Sequence, residues 1–214
     1  MTSNDTLILS LSADLVPVRR RSLLREAALL VSLVLAEFGV LLALGLIRPD
    51  MPQVIGSGFM VWKLGSLVVL AAACGAIALR SFAPMGWPRR GLTGAFALVA
   101  AALIAGLYLV RMPEDAGALF DRLMPEHGLI CATAIVVLSL PLMALLGAMM
   151  RRAAPIHPKR SALASGLAAA SCGALIFASC CPMNDPLYIA VWYLVGCGAV
   201  TAAARWLLPR RFRL

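Results

Sequence analysis

Six long apolar segments dominate this chain of 214 residues, and they constrain its fold more than any motif does. Each is close to the roughly 20 residues that a helix needs to cross the hydrocarbon core of a bilayer. A segment in lipid must also satisfy its own backbone hydrogen bonds, which favours helices. The sequence therefore predicts an all-α, polytopic membrane protein with six transmembrane helices. The predicted spans cover about residues 27–47, 58–79, 91–110, 128–150, 161–179 and 186–204.

The composition supports the same class and excludes a large soluble domain. Hydrophobic residues make up 62% of the chain and charged residues 14%, whereas a soluble domain has about 25% charged residues. The formal net charge is +9, but no soluble fold remains to carry a nucleic-acid-binding surface. We therefore expect the lipid bilayer as a partner and no direct contact with nucleic acid.

The basic residues predict the orientation of the spans. Most of the Lys and Arg residues fall in four clusters that six spans would place on one side of the membrane, at residues 19–25, 80–90, 151–160 and 205–213. Basic connections lie in the cytoplasm. We therefore expect both termini in the cytoplasm (N-in/C-in) of a multi-pass protein in a bacterial inner membrane.

This topology divides the chain into three parts. Residues 1–26 form a cytoplasmic N-terminal segment, residues 27–208 form the six-helix transmembrane domain, and residues 209–214 form a short basic tail. The cytoplasmic connections between spans are short. Any soluble partner is therefore expected to bind the N-terminal segment.

The cysteines provide the chemically reactive groups on the outer side. Cys131, Cys180 and Cys181 fall near the outer ends of predicted spans, in a compartment that permits disulfides. Cys131 with Cys180 or Cys181 would form a reversible disulfide, or the thiolates would bind a soft metal ion together with His127 and an acid such as Glu126. Inert thiols or a static disulfide are the alternative. The chain contains neither a C-x-x-C motif nor another catalytic motif, so we do not expect an enzyme.

Two charged residues fall inside predicted spans. Glu37 lies in the first span and Lys63 near the start of the second. Antiparallel neighbouring helices would bring them together as an intramembrane ion pair that fixes helix packing. Charged groups inside a membrane also mark transport pathways, so a small transporter or channel-like protein is the alternative function.

The N-terminal segment predicts a short amphipathic helix. Within "NDTLILSLSADLVPVRRR", the residues Leu7, Ile8, Leu11 and Leu15 form one apolar stripe, and Pro17 ends the helix. A helix of about twelve residues is marginally stable alone. Its apolar stripe therefore needs either the membrane surface or a groove on a soluble protein as a partner.

Five landmarks occur in order along the chain. They are "LSADLVPVRR" at 11–20, "IRPDM" at 47–51, "WKLGSL" at 62–67, "ICATAIVVLSLPLMALL" at 130–146 and "CPMNDPLYIAVWYLVG" at 181–196. With these landmarks the chain resembles the NrsF family of six-helix, membrane-embedded anti-sigma factors. The last two are the most specific. The family often has acidic residues directly after Cys-Pro, where this chain has Met183 and Asn184.

The resemblance implies an anti-sigma factor without catalysis. Such a protein holds an extracytoplasmic-function sigma factor at the inner membrane and releases it under stress, for which heavy metals and redox change are candidates. The implied sensing thiols are Cys131 and Cys181, with Cys180 and His127 as accessory candidates. No resident cofactor is expected, although Cys131 and Cys181 are candidate ligands for a transient soft metal ion. The implied sigma-binding segment includes Leu11, Asp14, Leu15, Pro17, Val18 and Arg19, to which the apolar stripe adds Leu7.

Overall fold

The computed structural model describes residues 3–13, 22–83, 89–108, 123, 125–153 and 155–210. These residues fold into helices joined by short connections, and no strand occurs among them. The helices are α1 (Ser3–Ala13), α2 (Leu23–Ala43), α3 (Met51–Val54), α4 (Gly58–Ser81), α5 (Arg89–Tyr108), α6 (Pro125–Ala153), α7 (Pro158–Ala178) and α8 (Pro186–Arg210). The helices α2 and α4 to α8 are long and apolar enough to cross a membrane. The predicted all-α fold with six spans is confirmed.

The helix bounds differ from the predicted spans mainly at the ends. Helix α6 runs from Pro125 to Ala153, beyond the predicted 128–150, and α8 continues past residue 204 to Arg210. An apolar window detects only the part of a helix that lies in hydrocarbon. The backbone hydrogen bonds continue into the polar flanks, because those flanks contain helix-forming residues such as Arg151.

Helix α2 starts and ends about four residues earlier than predicted, because both of its ends are capped. The Ser22 side chain accepts a hydrogen bond from the backbone N–H of Arg25 at the N-terminus. At the C-terminus Gly45 has a φ of 67°. The N–H of Gly45 donates to the carbonyl of Leu42 at 3.1 Å, and the next N–H reaches back to Leu41 at 3.0 Å. This Schellman arrangement ends the helix at a defined residue and turns the chain sharply.

Helix α7 lies at the centre of the bundle, packed against α4, α6 and α8. Small residues permit this close packing. A Cβ atom at Gly166 would lie 2.7 Å from Cβ of Ala204 in α8. A Cβ atom at Gly173 would collide with the Ser139 side chain in α6. These glycines therefore allow α7 to pack closely against both α6 and α8.

Helices α2 and α5 lie at the periphery. Leu30 is the one buried residue of α2, although α2 contacts α4, α6 and α7. Most of its other side chains are exposed, which fits a helix that faces lipid along much of its surface. The first span therefore buries little of its surface against the rest of the bundle.

Candidate functional site

The connection between α7 and α8 forms a tight loop, residues 179–185, which we call the thiol loop. The backbone N–H groups of Cys180 and Cys181 both donate to the carbonyl of Phe177, at 2.9 and 3.0 Å. This turn directs the two adjacent side chains differently. Cys181 is buried with 1% of its surface exposed, whereas Cys180 is partly exposed.

Cys181 meets Cys131, which α6 brings to the same end of the bundle. The two side chains lie in the same buried cluster, and both cysteines are free thiols. The hydroxyl of Tyr188 lies 3.4 Å from Cys131 Sγ. The structure thus brings together the two predicted sensing thiols in a buried pair, the thiol pair. The buried residues around the pair are Ile135, Ala174, Ala178, Tyr188, Ile189 and Tyr193.

Lys63 lies directly beside the thiol pair. Its side chain is 1% exposed, and its ammonium donates to the carbonyl of Cys181 at 3.2 Å and to that of Met183 at 3.5 Å. The ring of Tyr193 has its centroid 5.9 Å from Nζ. A buried cation is costly unless polar groups compensate it. Here the backbone dipoles of the thiol loop supply that compensation.

The predicted ion pair between Glu37 and Lys63 does not form. Within the described part of the chain, neither carboxylate oxygen of Glu37 has a hydrogen-bond partner, although both atoms are buried. Lys63 lies only one to two turns into α4, so its side chain reaches the thiol loop. The loop carbonyls accept its hydrogen bonds in place of the Glu37 carboxylate.

The two adjacent cysteines of the thiol loop differ in acidity. The hydrogen bond from Cys131 lowers the pKa of the Cys181 thiol, and the charge of Lys63 lowers it further, against the opposing effect of burial. Burial raises the pKa of Cys180 above its ordinary value. The thiolate is the nucleophile and the metal ligand. The lowered pKa therefore favours a thiolate at Cys181 over a thiolate at Cys180.

This difference predicts how the reactivity of Cys181 depends on pH. An unperturbed thiol of pKa about 8.5 gains thiolate roughly 75-fold between pH 6 and pH 8. Because the pKa of Cys181 is lowered, we expect the rate of disulfide formation with Cys131 to change far less, by about threefold at most. The rate is measured by quenching the oxidation at set times and quantifying the bridged peptides by mass spectrometry. A change close to 75-fold would contradict a lowered pKa.

Arg48 connects the loop between α2 and α3 to the thiol loop. Its side chain is 7% exposed. Nε and Nη2 donate to the two carboxylate oxygens of Asp50, at 2.7 and 2.6 Å. Nη1 donates to Oδ1 of Asn184 at 2.9 Å and lies 3.5 Å from the carbonyl of Cys181. The backbone N–H of Arg48 also donates to the carbonyl of Ser179 at 3.3 Å. The hydrogen bond from Arg48 lowers the pKa of Asp50.

Sequence reasoning missed this role of Arg48 and Asn184. "IRPDM" served only as a family landmark, and Asn184 was noted as a departure from the family pattern. One signal was available. Arg48 is one of the few cations on the side that the sequence predicts to be outer, where basic residues are uncommon, and Asp50 two residues later offers a carboxylate. Its partner Asn184 could not be deduced, because it lies in a distant loop.

The predicted four-ligand metal site is not assembled. No three side chains of His, Cys, Asp or Glu come together anywhere in the ranges that the structure covers. His127 and Glu126 are exposed in the first turn of α6, whereas Cys131 one turn later is buried. These two side chains lie on the exposed side of that turn. The other side of the same turn packs against α8, because a Cβ atom at Gly128 would collide with Trp192. The thiol pair itself is what remains as a candidate for a soft ion.

The predicted N-terminal helix is present as α1, Ser3–Ala13. Ile8 on this helix is 62% exposed. The positions of the Leu7 and Leu11 side chains are outside the described part of the structure. The same holds for the predicted sigma-binding residues Asp14, Leu15, Pro17, Val18 and Arg19. A helix is thus present where one was predicted. Its apolar stripe, its end at Pro17 and its role in binding a sigma factor stay predictions.

The fold and this site define a polytopic membrane protein with a buried dithiol at one end of its bundle. Comparison with known proteins identifies the class further. The family model described as negative regulator of sigma F, NrsF, matches residues 11–214. The chain therefore belongs to the NrsF family.

One curated relative supports this assignment. The anti-sigma-F factor NrsF of Caulobacter vibrioides (strain NA1000 / CB15N) is 31% identical over 176 residues, which cover 79% of this chain and 82% of the relative. No solved structure matches the chain significantly. The family assignment makes the chain a negative regulator of a sigma factor. It favours this regulatory role over the alternative of a small transporter or channel.

Proposed function

We propose that this chain holds an extracytoplasmic-function sigma factor at the bacterial inner membrane and releases it when the thiol pair reacts. The observation that carries the proposal is the buried contact between Cys131 and Cys181. Cys131 lies in α6 and Cys181 in the loop between α7 and α8, so a reaction that joins them constrains the packing of these helices. The distribution of basic residues supports an outer location for the pair and a cytoplasmic location for the N-terminal segment.

Two reactions suit a pair of adjacent thiols. Hydrogen peroxide would accept two electrons and two protons from Cys131 and Cys181, leaving one disulfide and two molecules of water. Alternatively, a soft metal ion would displace both thiol protons and bind the two thiolates. Both reactions begin at the Cys181 thiolate, which the Cys131 hydrogen bond and the Lys63 charge favour.

The N-terminal segment is the part of the chain suited to reversible capture of a soluble partner. Helix α1 presents apolar side chains such as Ile8 to its surroundings. Ordering the backbone on docking costs about 1–2 kcal/mol per residue. That cost offsets part of the contact energy, so a sigma factor can be held specifically and still be released.

Charge introduced into the apolar stripe is expected to abolish sigma binding. The double variant Leu11→Asp and Leu15→Asp places two carboxylates in the predicted contact, where desolvation of each charge is unfavourable. The measurement is co-purification of the sigma factor with the tagged full-length chain from membranes of the native bacterium. Ser12→Asp, on the predicted polar face of the same segment, is the matched control. Full recovery of the sigma factor with the double variant would refute a role for the stripe.

A further inference from the structure

We propose that Arg48 couples the thiol loop to the first span, so that a reaction of the thiol pair is transmitted to α2. The inference rests on the proposed function of the thiol pair and assigns the residue that carries its signal. Arg48 is a positioning residue in this scheme, because it contacts neither sulfur through its own donors and acts through the loop backbone.

The first step of the argument is the convergence of contacts on the thiol loop. The backbone and side chain of Arg48 bind three parts of that loop: the carbonyl of Ser179, the carbonyl of Cys181 and the side chain of Asn184. Asp50 accepts the other two guanidinium donors and holds the planar group in one orientation. Bidentate guanidinium contacts with a carboxylate are strong and geometrically specific. A displacement of Cys181 therefore changes the partners of Arg48 directly.

The second step is the rigid connection from Arg48 to α2. Only two residues separate Arg48 from Gly45, and the N–H groups of Leu44, Gly45 and Leu46 are all hydrogen-bonded to carbonyls in the last turn of α2. These hydrogen bonds restrict the conformational freedom of the turn. A movement of Arg48 is consequently passed to the end of the helix instead of being absorbed by a long loop.

The third step is the loose packing of α2 against the rest of the bundle. It buries Leu30 alone, whereas α7 is buried along most of its length. The Arg48 contacts are thus a major polar connection between the outer end of the first span and the bundle. At its other end α2 begins at Leu23, inside the predicted N-terminal segment, and residues 1–22 of that segment precede it directly. It is the span through which a change at the thiol loop reaches that segment by covalent continuity.

The test measures hydrogen exchange in the full-length chain in lipid nanodiscs. The thiol pair is either reduced or bridged by phenylarsine oxide, a reagent that joins two thiols that lie close together in space. The reporters are the amides of Leu44, Gly45 and Leu46. Bridging is expected to displace the thiol loop from Arg48 and to accelerate exchange at these amides about fivefold. This factor is at the lower end of the fold-changes that coupling between two sites typically produces. Mass spectrometry of the peptides confirms that the bridge has formed.

In Arg48→Ala the same amides are expected to exchange rapidly in both states, so that bridging no longer changes their rate. Gln53→Ala, an exposed position on α3 in the same outer connection, is the matched control and should respond like the wild-type chain. Arg48→Lys, which retains the charge without the planar group, and Asn184→Leu, which removes one acceptor, should show a reduced response. If the Arg48→Ala protein does not accumulate in the membrane, these two variants test the inference in its place.

Two results would overturn the inference. One is an unchanged exchange rate in the bridged wild-type chain, and the other is a response in Arg48→Ala that equals the wild-type response. The experiment contains no sigma factor. It therefore separates the coupling from the proposed function, which fails independently if the full-length chain captures no sigma factor.

Discussion

Replacement of Cys131 or Cys181 with serine is expected to abolish release of the sigma factor under stress. A serine hydroxyl forms no disulfide and does not replace a thiolate as a ligand for soft metal ions. Each substitution is nearly isosteric, so the buried site around Tyr188 and Tyr193 should keep its packing. The measurement is a sigma-dependent reporter in the native bacterium, read before and after treatment with a peroxide or with a cadmium salt. The ratio of the two readings should fall to about one in each variant, because neither thiol alone completes the proposed reaction.

Cys180→Ser is the matched control for this experiment. Cys180 adjoins Cys181 in sequence but lies outside the buried pair, and burial raises the pKa of its thiol. The control variant should therefore respond like the wild-type chain. Unchanged induction in both the Cys131 and Cys181 variants would refute thiol sensing, whatever the response of the control.

The same cells distinguish the two reactions proposed for the thiol pair. After peroxide treatment, a disulfide between Cys131 and Cys181 lowers the mass of the joined peptides by two hydrogens and is reversed by a reducing agent. After cadmium treatment, a bound ion leaves the thiols chemically reduced and is removed by a chelator. If neither state is found while induction persists, the signal enters the protein elsewhere.

Gly173→Leu is expected to prevent the bundle from packing. A Cβ atom at this position would collide with Oγ of Ser139 and would lie 3.0 Å from the backbone nitrogen of Ser139 and 3.1 Å from the carbonyl of Ile135. Backbone atoms in α6 cannot move aside as a flexible side chain can. Overpacking a core costs about 1–3 kcal/mol and occasionally more. We expect the cost of inserting a leucine side chain between α6 and α7 to lie at the upper end of that range.

Gly198→Leu makes the same chemical change at a position with no atom within 4 Å of the added Cβ. It should leave the stability of the protein unchanged or slightly raised, because leucine favours a helix more than glycine does by roughly 1 kcal/mol. The measurements are the amount of protein in the membrane fraction and the unfolding temperature in detergent. Equal stability of the two leucine variants would show that α6 and α7 do not pack closely at Gly173.

The number and order of the spans could be predicted from the sequence, because they depend on local properties. Hydropathy over about 20 residues determines whether a segment partitions into the bilayer, whatever its neighbours are. The apolar windows therefore identified all six long helices but did not include their polar ends. The windows also failed to predict that α2 ends at Ala43, since this C-terminus depends on the backbone conformation of Gly45.

The sequence indicates which residue types are available at the site, but the packing of the helices establishes which of them are in contact. From the sequence, Cys131 had two possible partners, and the turn at Phe177 selects Cys181. Lys63 was expected to bind a carboxylate and instead binds the carbonyls of the thiol loop. Arg48 reaches that loop although it lies far away along the chain. The physical reason is common to all three. Such contacts depend on how each helix is rotated and how deeply it sits in the bundle, and hydropathy along one segment contains no information on either.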